Sequence, residues 1–161
     1  MQLSRSIWIS ALVTGVLCGI WAGFASLVYL NVWAGFAGCT AYFASGKPGP
    51  KGMILTWCTT LIGAFLAYLM IVIDIAMVEN ISIMNTRVST AIAVGALVAL
   101  IMLLGNINWL SFIPGMFVGC YTYFAIDGFS GNNWLILMIS LVTGAVLGLA
   151  CDSGGKKLSA L

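Results

Sequence analysis

The chain has no histidine, and among its 161 residues only six are Lys or Arg and four are Asp or Glu. The absence of histidine removes the commonest general acid–base and metal-binding side chain. No paired carboxylates and no nucleophile beside a base stand in its place, so no catalytic residues are expected and the chain does not read as an enzyme. Charged residues make up 6% of the sequence, against about 25% in an ordinary soluble domain. So few charges cannot cover a water-facing surface, and with 62% hydrophobic residues the chain reads as an integral membrane protein. A net charge of +2 is far too little basic surface for nucleic acid. No charged, loop-rich stretch is long enough to bury a core of its own, which excludes a separate soluble domain.

Other absences narrow the chemistry. The five cysteines, Cys18, Cys39, Cys58, Cys120 and Cys151, lie in apolar runs or at their ends. None forms a CxxC pair and no histidine could join them, so neither a zinc site nor a disulfide framework is expected. They read as small apolar fillers in helix contacts. No glycine cluster is followed by a lysine in a strand-to-helix turn, which excludes a phosphate-binding loop. No cofactor or metal is expected. Asp74, Asp127 and Asp152 fall at the ends of apolar segments and Glu79 in a loop. Ion-coupled transporters usually hold carboxylates or histidine within the bilayer, so a proton- or sodium-coupled mechanism is disfavoured.

What is present is a repeated phrase. "FAGCTAYFA" at 36–44 returns as "FVGCYTYFA" at 117–125, sharing FxGCxxYFA, with every matched pair 81 positions apart (Phe36 and Phe117, Tyr42 and Tyr123). Gly63 with Gly144, and Thr59 with Ser140, match at the same offset. Apolar segments run over about 7–24, 30–45, 52–73, 88–104, 110–126 and 134–151. In lipid each must satisfy its own backbone, so each is expected to be a helix. The first segment follows Arg5 and could pass for a signal peptide with Cys18 at a lipoprotein site. Leu17 is too bulky for that cleavage, and the region has a counterpart in the second half, so it is expected to stay as a membrane helix. The segments that carry the phrase are short enough that a re-entrant half-helix is the alternative to a full span. Six spans put Arg5, Lys47, Lys51, Lys156 and Lys157 on one side and Arg87 alone on the other. Re-entrant motif segments would move Lys47 and Lys51 across. The positive-inside rule favours six spans with both termini cytoplasmic.

Three spans per half is an odd number, so the halves would enter the membrane in opposite senses. The expected fold is therefore an all-α membrane protein, a single domain over 1–161. It has six transmembrane helices as two inverted three-helix repeats, about 7–73 and 88–151, and a loose polar tail over 152–161. Small residues four apart let membrane helices approach closely. Gly15, Gly19, Gly23, Gly38, Gly119, Gly144 and Gly148, with Cys39 and Cys120, are the expected packing positions; Ala91, Gly95, Ala99 and Gly115 share the spacing. Tyr42 and Tyr123 read either as interfacial belt residues or as gates at opposite ends of one path. In the second reading Phe43, Phe124, Thr40 and Thr122 line the path with them.

The phrases "WAGFAGCTAYFA" at 33–44 and "SFIPGMFVGCYTYFA" at 111–125, with the pair Lys51-Gly52, resemble the YcdZ-like family of small bacterial inner-membrane proteins, over about residues 7–151. The resemblance implies a multi-pass inner-membrane protein of bacterial origin; it implies no substrate and no catalytic residue. Expected partners are the lipid bilayer, a small-molecule solute and further copies of the chain, with no nucleic acid. The functional expectation is a passive channel or facilitator for a small neutral or weakly polar solute. The alternative is a non-transporting scaffold or regulatory subunit.

Overall fold

The computed structural model describes residues 4–160; of the expected 1–161 domain, residues 1–3 and 161 lie outside them. Among the described residues there are six α-helices and no strand: α1 (Arg5–Phe24), α2 (Val32–Ala44), α3 (Gly49–Asn80), α4 (Thr86–Leu104), α5 (Ile113–Ala125) and α6 (Asn133–Ser159). Short 3-10 turns, Ala25–Val28 and Asn108–Leu110, precede α2 and α5. Asn31 caps α2 by accepting from the Ala34 amide at 2.9 Å, and Asn85 caps α4 by accepting from the Arg87 amide at 2.8 Å. Prolines in the first turns of α3 and α5 start those helices without wasting an amide. Four helical stretches, Arg5–Val28, Gly49–Asn80, Thr86–Leu104 and Asn133–Ser159, are long and apolar enough to cross a membrane. The two that carry the repeated phrase, α2 and α5, have 13 residues each. Each reaches about 20 Å, short of a hydrocarbon core about 30 Å thick.

Two helices outrun their apolar segments. α3 continues through Asp74 and Glu79 to Asn80, where a break and a loop were expected. Asp74 is accommodated because its carboxylate accepts from the hydroxyls of Ser89 at 2.5 Å and Thr90 at 3.1 Å on α4. α6 likewise continues through the polar stretch 152–159, expected to be loose. Lys156 reaches back one turn to Asp152 at 2.8 Å, and the Ser159 hydroxyl donates to the Gly155 carbonyl at 2.6 Å. Gly155 also lies directly against Ser10 of α1.

The packing crosses between the halves. α2 lies chiefly along α6 and α5 chiefly along α3, while α1 covers α6 and α4 covers α3. α2 touches α5, and α3 touches α6. Ala34, Ala64, Met116, Leu137 and Leu141 are buried together in the core that results. Bare backbone makes the closest approaches. A Cβ on Gly38 would run into the Leu141 carbonyl oxygen and lie 3.1 Å from the Ala145 amide; one on Gly119 would run into the Thr60 carbonyl oxygen and lie 2.9 Å from the Ala64 amide. Thr60 and Leu141, and Ala64 and Ala145, are again 81 positions apart. The same holds for Gly63 against Met116 and Gly144 against Gly35. Cys39 and Cys120 are buried beside these glycines. Gly15, Gly19 and Gly23, expected at helix contacts, face open space instead, with nothing within 4 Å of an added Cβ. The reason is the face that α1 turns to α6, where Ser10 and Val13 meet Gly155 and Gly154. Gly95 is open in the same way.

Both short helices begin part-way along their partners. The Asn31 amide donates to Ser140 Oγ at 2.9 Å, seven residues into α6. Gly115, in the first turn of α5, lies against Thr59, ten residues into α3.

Candidate functional site

Tyr42 and Tyr123 close the far ends of the two short helices. Both are 2% exposed. Each ring meets the phenylalanine that follows it edge-on, at 5.4 Å for Tyr42–Phe43 and 6.2 Å for Tyr123–Phe124. Their hydroxyls differ. The Tyr42 hydroxyl donates to Asp152 Oδ2 at 3.0 Å and accepts from the Gly49 amide at 2.9 Å. The turn "SGKPG" makes this possible, because Gly46 and Gly49 take φ of 66° and 73° and bring the start of α3 back over the ring. The bonds gather the end of α2, the start of α3 and the late part of α6 at one end of the bundle. The Ser159 hydroxyl, 3.4 Å from the Ser6 carbonyl, adds the start of α1 to that end. Asp152 is further held by Lys156, with its side chain 19% exposed.

Tyr123 sits at the other end. Its carbonyl accepts from the Gly128 amide at 2.9 Å, and its ring lies so close to Gly128 that a Cβ there would stand 2.7 Å from it. Asn133 ties the turn together by donating to the carbonyls of Ile126 and Asp127, each at 3.1 Å. Tyr123 lines a cavity of about 530 Å³ with Ala64, Phe65, Tyr68, Gly128, Phe129, Trp134 and Met138. Tyr68 stacks with Phe129 at 6.0 Å and with Phe65 at 6.4 Å. A smaller recess of about 180 Å³ marks the other end, lined by Tyr42, Phe43, Gly46, Lys47, Pro48 and Asp152. Trp134 and Asp152 stand 18 residues apart on α6, roughly 27 Å along the axis, so the tyrosines mark opposite ends.

Between them the polar side chains are turned onto backbone. Thr59 donates to the Leu55 carbonyl at 2.8 Å, Thr60 to the Thr56 carbonyl at 2.8 Å, and Thr122 to the Val118 carbonyl at 2.6 Å. Thr56 Oγ1 is fully buried with no hydrogen-bond partner among the described residues. Of the six residues expected to line a path, Tyr42, Tyr123 and Thr122 are buried, while Thr40, Phe43 and Phe124 face outward. The helical register explains the difference. Thr40 is equivalent to the exposed Tyr121, and the buried Thr122 is equivalent to the buried Ala41.

Sequence reasoning missed Asp152 as the partner of Tyr42, and it missed the aromatic cavity. A carboxylate 110 positions away from a tyrosine carries no local signal. Trp134 opens an apolar segment and Phe129 lies in a break, where aromatic residues read as membrane-interface anchors, while Phe65 and Tyr68 lie inside a span, where they read as ordinary apolar residues. Among the described residues no three Cys, Asp or Glu side chains converge as a metal site.

Comparison with known proteins shows the family. The family described as "Protein of unknown function (DUF1097)" matches residues 11–156. "Inner membrane protein YcdZ" of Salmonella typhimurium is 35% identical over 149 residues, covering 92% of this chain and 87% of that protein. Its namesake in Escherichia coli is 35% identical over 150 residues, covering 93% and 86%. "Uncharacterized protein YahC" of Escherichia coli is 31% identical over 159 residues, covering 91% of each. No solved structure gives a significant match. With its two motif helices and nearly its whole length inside the match, the chain belongs to the DUF1097 family.

Proposed function

We propose that the chain is a bacterial inner-membrane protein of six spans, built as two inverted three-helix repeats, and that it acts as a passive channel or facilitator for a small neutral or weakly polar solute. One observation carries this reading: the contacts of Gly38 and Gly63 in one half return at Gly119 and Gly144 in the other, with partners shifted by the same 81 positions. Halves of three spans with equivalent contacts insert in opposite senses, and such repeats hold their solutes at the interface between them. Both short helices start part-way into the bundle, so their first amides, the positive ends of their dipoles, lie near that interface. Among the described residues the space between the tyrosines offers hydroxyls and rings, while the carboxylates of Asp74 and Asp152 are already engaged by Ser89 and Thr90 and by Tyr42 and Lys156, which favours a passive transfer over an ion-coupled one. In this closed state passage requires α2 and α5 to part, with Tyr42 and Tyr123 as the two gates. Arg5, Lys47, Lys51 and the lysines at the end of α6 favour a cytoplasmic face at the Tyr42 end, with both termini there.

The test is uptake into proteoliposomes of a panel of small neutral solutes, compared with empty vesicles. Uptake of at least one solute above the empty vesicles supports the reading; none across the panel removes it. A second reading, a membrane scaffold or regulatory subunit without chemistry of its own, is favoured by the open row of Gly15, Gly19 and Gly23 on α1. Small-residue rows of this kind suit close contact with a partner helix or another copy of the chain.

A further inference from the structure

We propose that the cavity at the Tyr123 end is a binding site for a neutral aromatic molecule of phenol to indole size that carries one hydrogen-bonding group. Two features point to this chemistry. First, the walls are rings. Phe65, Tyr68 and Phe129 form a run of near-parallel rings, at interplanar angles of 29° and 27°, and Trp134 stands on the same cavity. Aromatic rings prefer offset or edge-on company of their own kind. Tyr68 already stacks with both Phe65 and Phe129, a row of rings that a flat aromatic ligand would extend. No Asp, Glu, Lys or Arg lines the space itself, and the carboxylate of Asp127, close to Tyr123, is already bound by the Ser130 hydroxyl, so a neutral ligand suits the lining better than a charged one.

Second, the polar group is placed and free. Tyr42 spends its hydroxyl on Asp152 and Gly49, whereas no protein group among the described residues bonds the hydroxyl of Tyr123, a residue that lines the cavity. Its ring is fixed against Gly128. An aromatic pocket with one unpaired hydroxyl suits a flat ligand with one matching donor or acceptor. At about 530 Å³ the cavity holds one such ring system with room for water at its mouth.

The inference extends the reading of a weakly polar solute and is separable from it. The experiment is a titration of 4-fluorophenol, followed by fluorine NMR line width, into nanodiscs that contain the whole protein. Empty nanodiscs account for partition into lipid. Saturable broadening above the empty discs is the expected result. Phe129→Ala, at a side chain 46% exposed and therefore safe for the fold, should weaken it about tenfold by removing one ring contact. Tyr123→Phe should weaken 4-fluorophenol several-fold and leave fluorobenzene unchanged, a split that general loss of structure would not produce. No saturable component, equal effects of Tyr123→Phe on both probes, or displacement by tetramethylammonium would each overturn the assignment. Binding without uptake in the proteoliposome assay would leave the site standing and remove the passage; uptake without binding would do the reverse.

Discussion

Tyr42 and Asp152, 110 positions apart, are joined by a 3.0 Å hydrogen bond that locks the end of one motif helix to the last helix of the chain. Among the described residues no protein group locks the hydroxyl of its counterpart Tyr123 in this way. Tyr42→Phe should therefore cost about 1.5–3 kcal/mol, the range for a hydrogen bond to a charged group, and Tyr123→Phe distinctly less. Unfolding of the two variants in graded SDS measures the difference. Equal losses would show that the Asp152 bond contributes nothing to stability.

Gly119→Leu and Gly38→Leu should each destabilise the fold or prevent assembly, because the new side chain meets backbone carbonyls of α3 or α6 that cannot swing aside. Overpacking of this kind costs about 1–3 kcal/mol. Gly15→Leu, at a position open to its surroundings, serves as the control and should assemble normally. Assembled yield in mild detergent is the readout, and a normally assembled Gly119→Leu protein would contradict the contact.

Much of this is legible in the sequence. The offset of 81 between the two phrases foretold that Gly38 and Gly119 do equivalent work, because a backbone approach admits only glycine and so leaves a mark in each half. The partners were not legible. Leu141 and Thr60 are ordinary apolar-helix residues, and nothing local says that each motif helix packs on the third helix of the opposite half. Asp74 reads as a helix end because a carboxylate in an apolar run normally is one; Ser89 and Thr90, which satisfy it, are on another helix. The row Gly15, Gly19 and Gly23 has the right spacing for packing, but spacing does not say which face of α1 meets a neighbour.

Topology gives a direct check. In a variant lacking the native cysteines, a cysteine replacing Lys47 should be labelled only from the cytoplasmic side and one replacing Asp127 only from the opposite side. The two positions lie in the turns after α2 and after α5, at opposite ends of the bundle. Labelling of both from one side would sink the six-span inverted arrangement.

Solute flux should respond to either tyrosine. On the gate reading, Tyr42→Phe and Tyr123→Phe each change the uptake rate while the protein stays folded, since only one hydroxyl is lost in each. An unchanged rate in the double variant, with uptake itself intact, would show that these hydroxyls do not gate the path.

The crossed packing also sets a schedule for synthesis. α2 is anchored by α6, and Asn31 precedes Ser140 by 109 positions. At about 5–20 residues per second, the ribosome needs roughly 5–20 s to supply that partner. Through this interval a helix too short to hold the bilayer alone waits beside α1 with its glycine face uncovered. α5 has no such wait, because α3 is already in place when it emerges. On this schedule the first half of the chain is expected to be the half more open to proteolysis whenever translation slows.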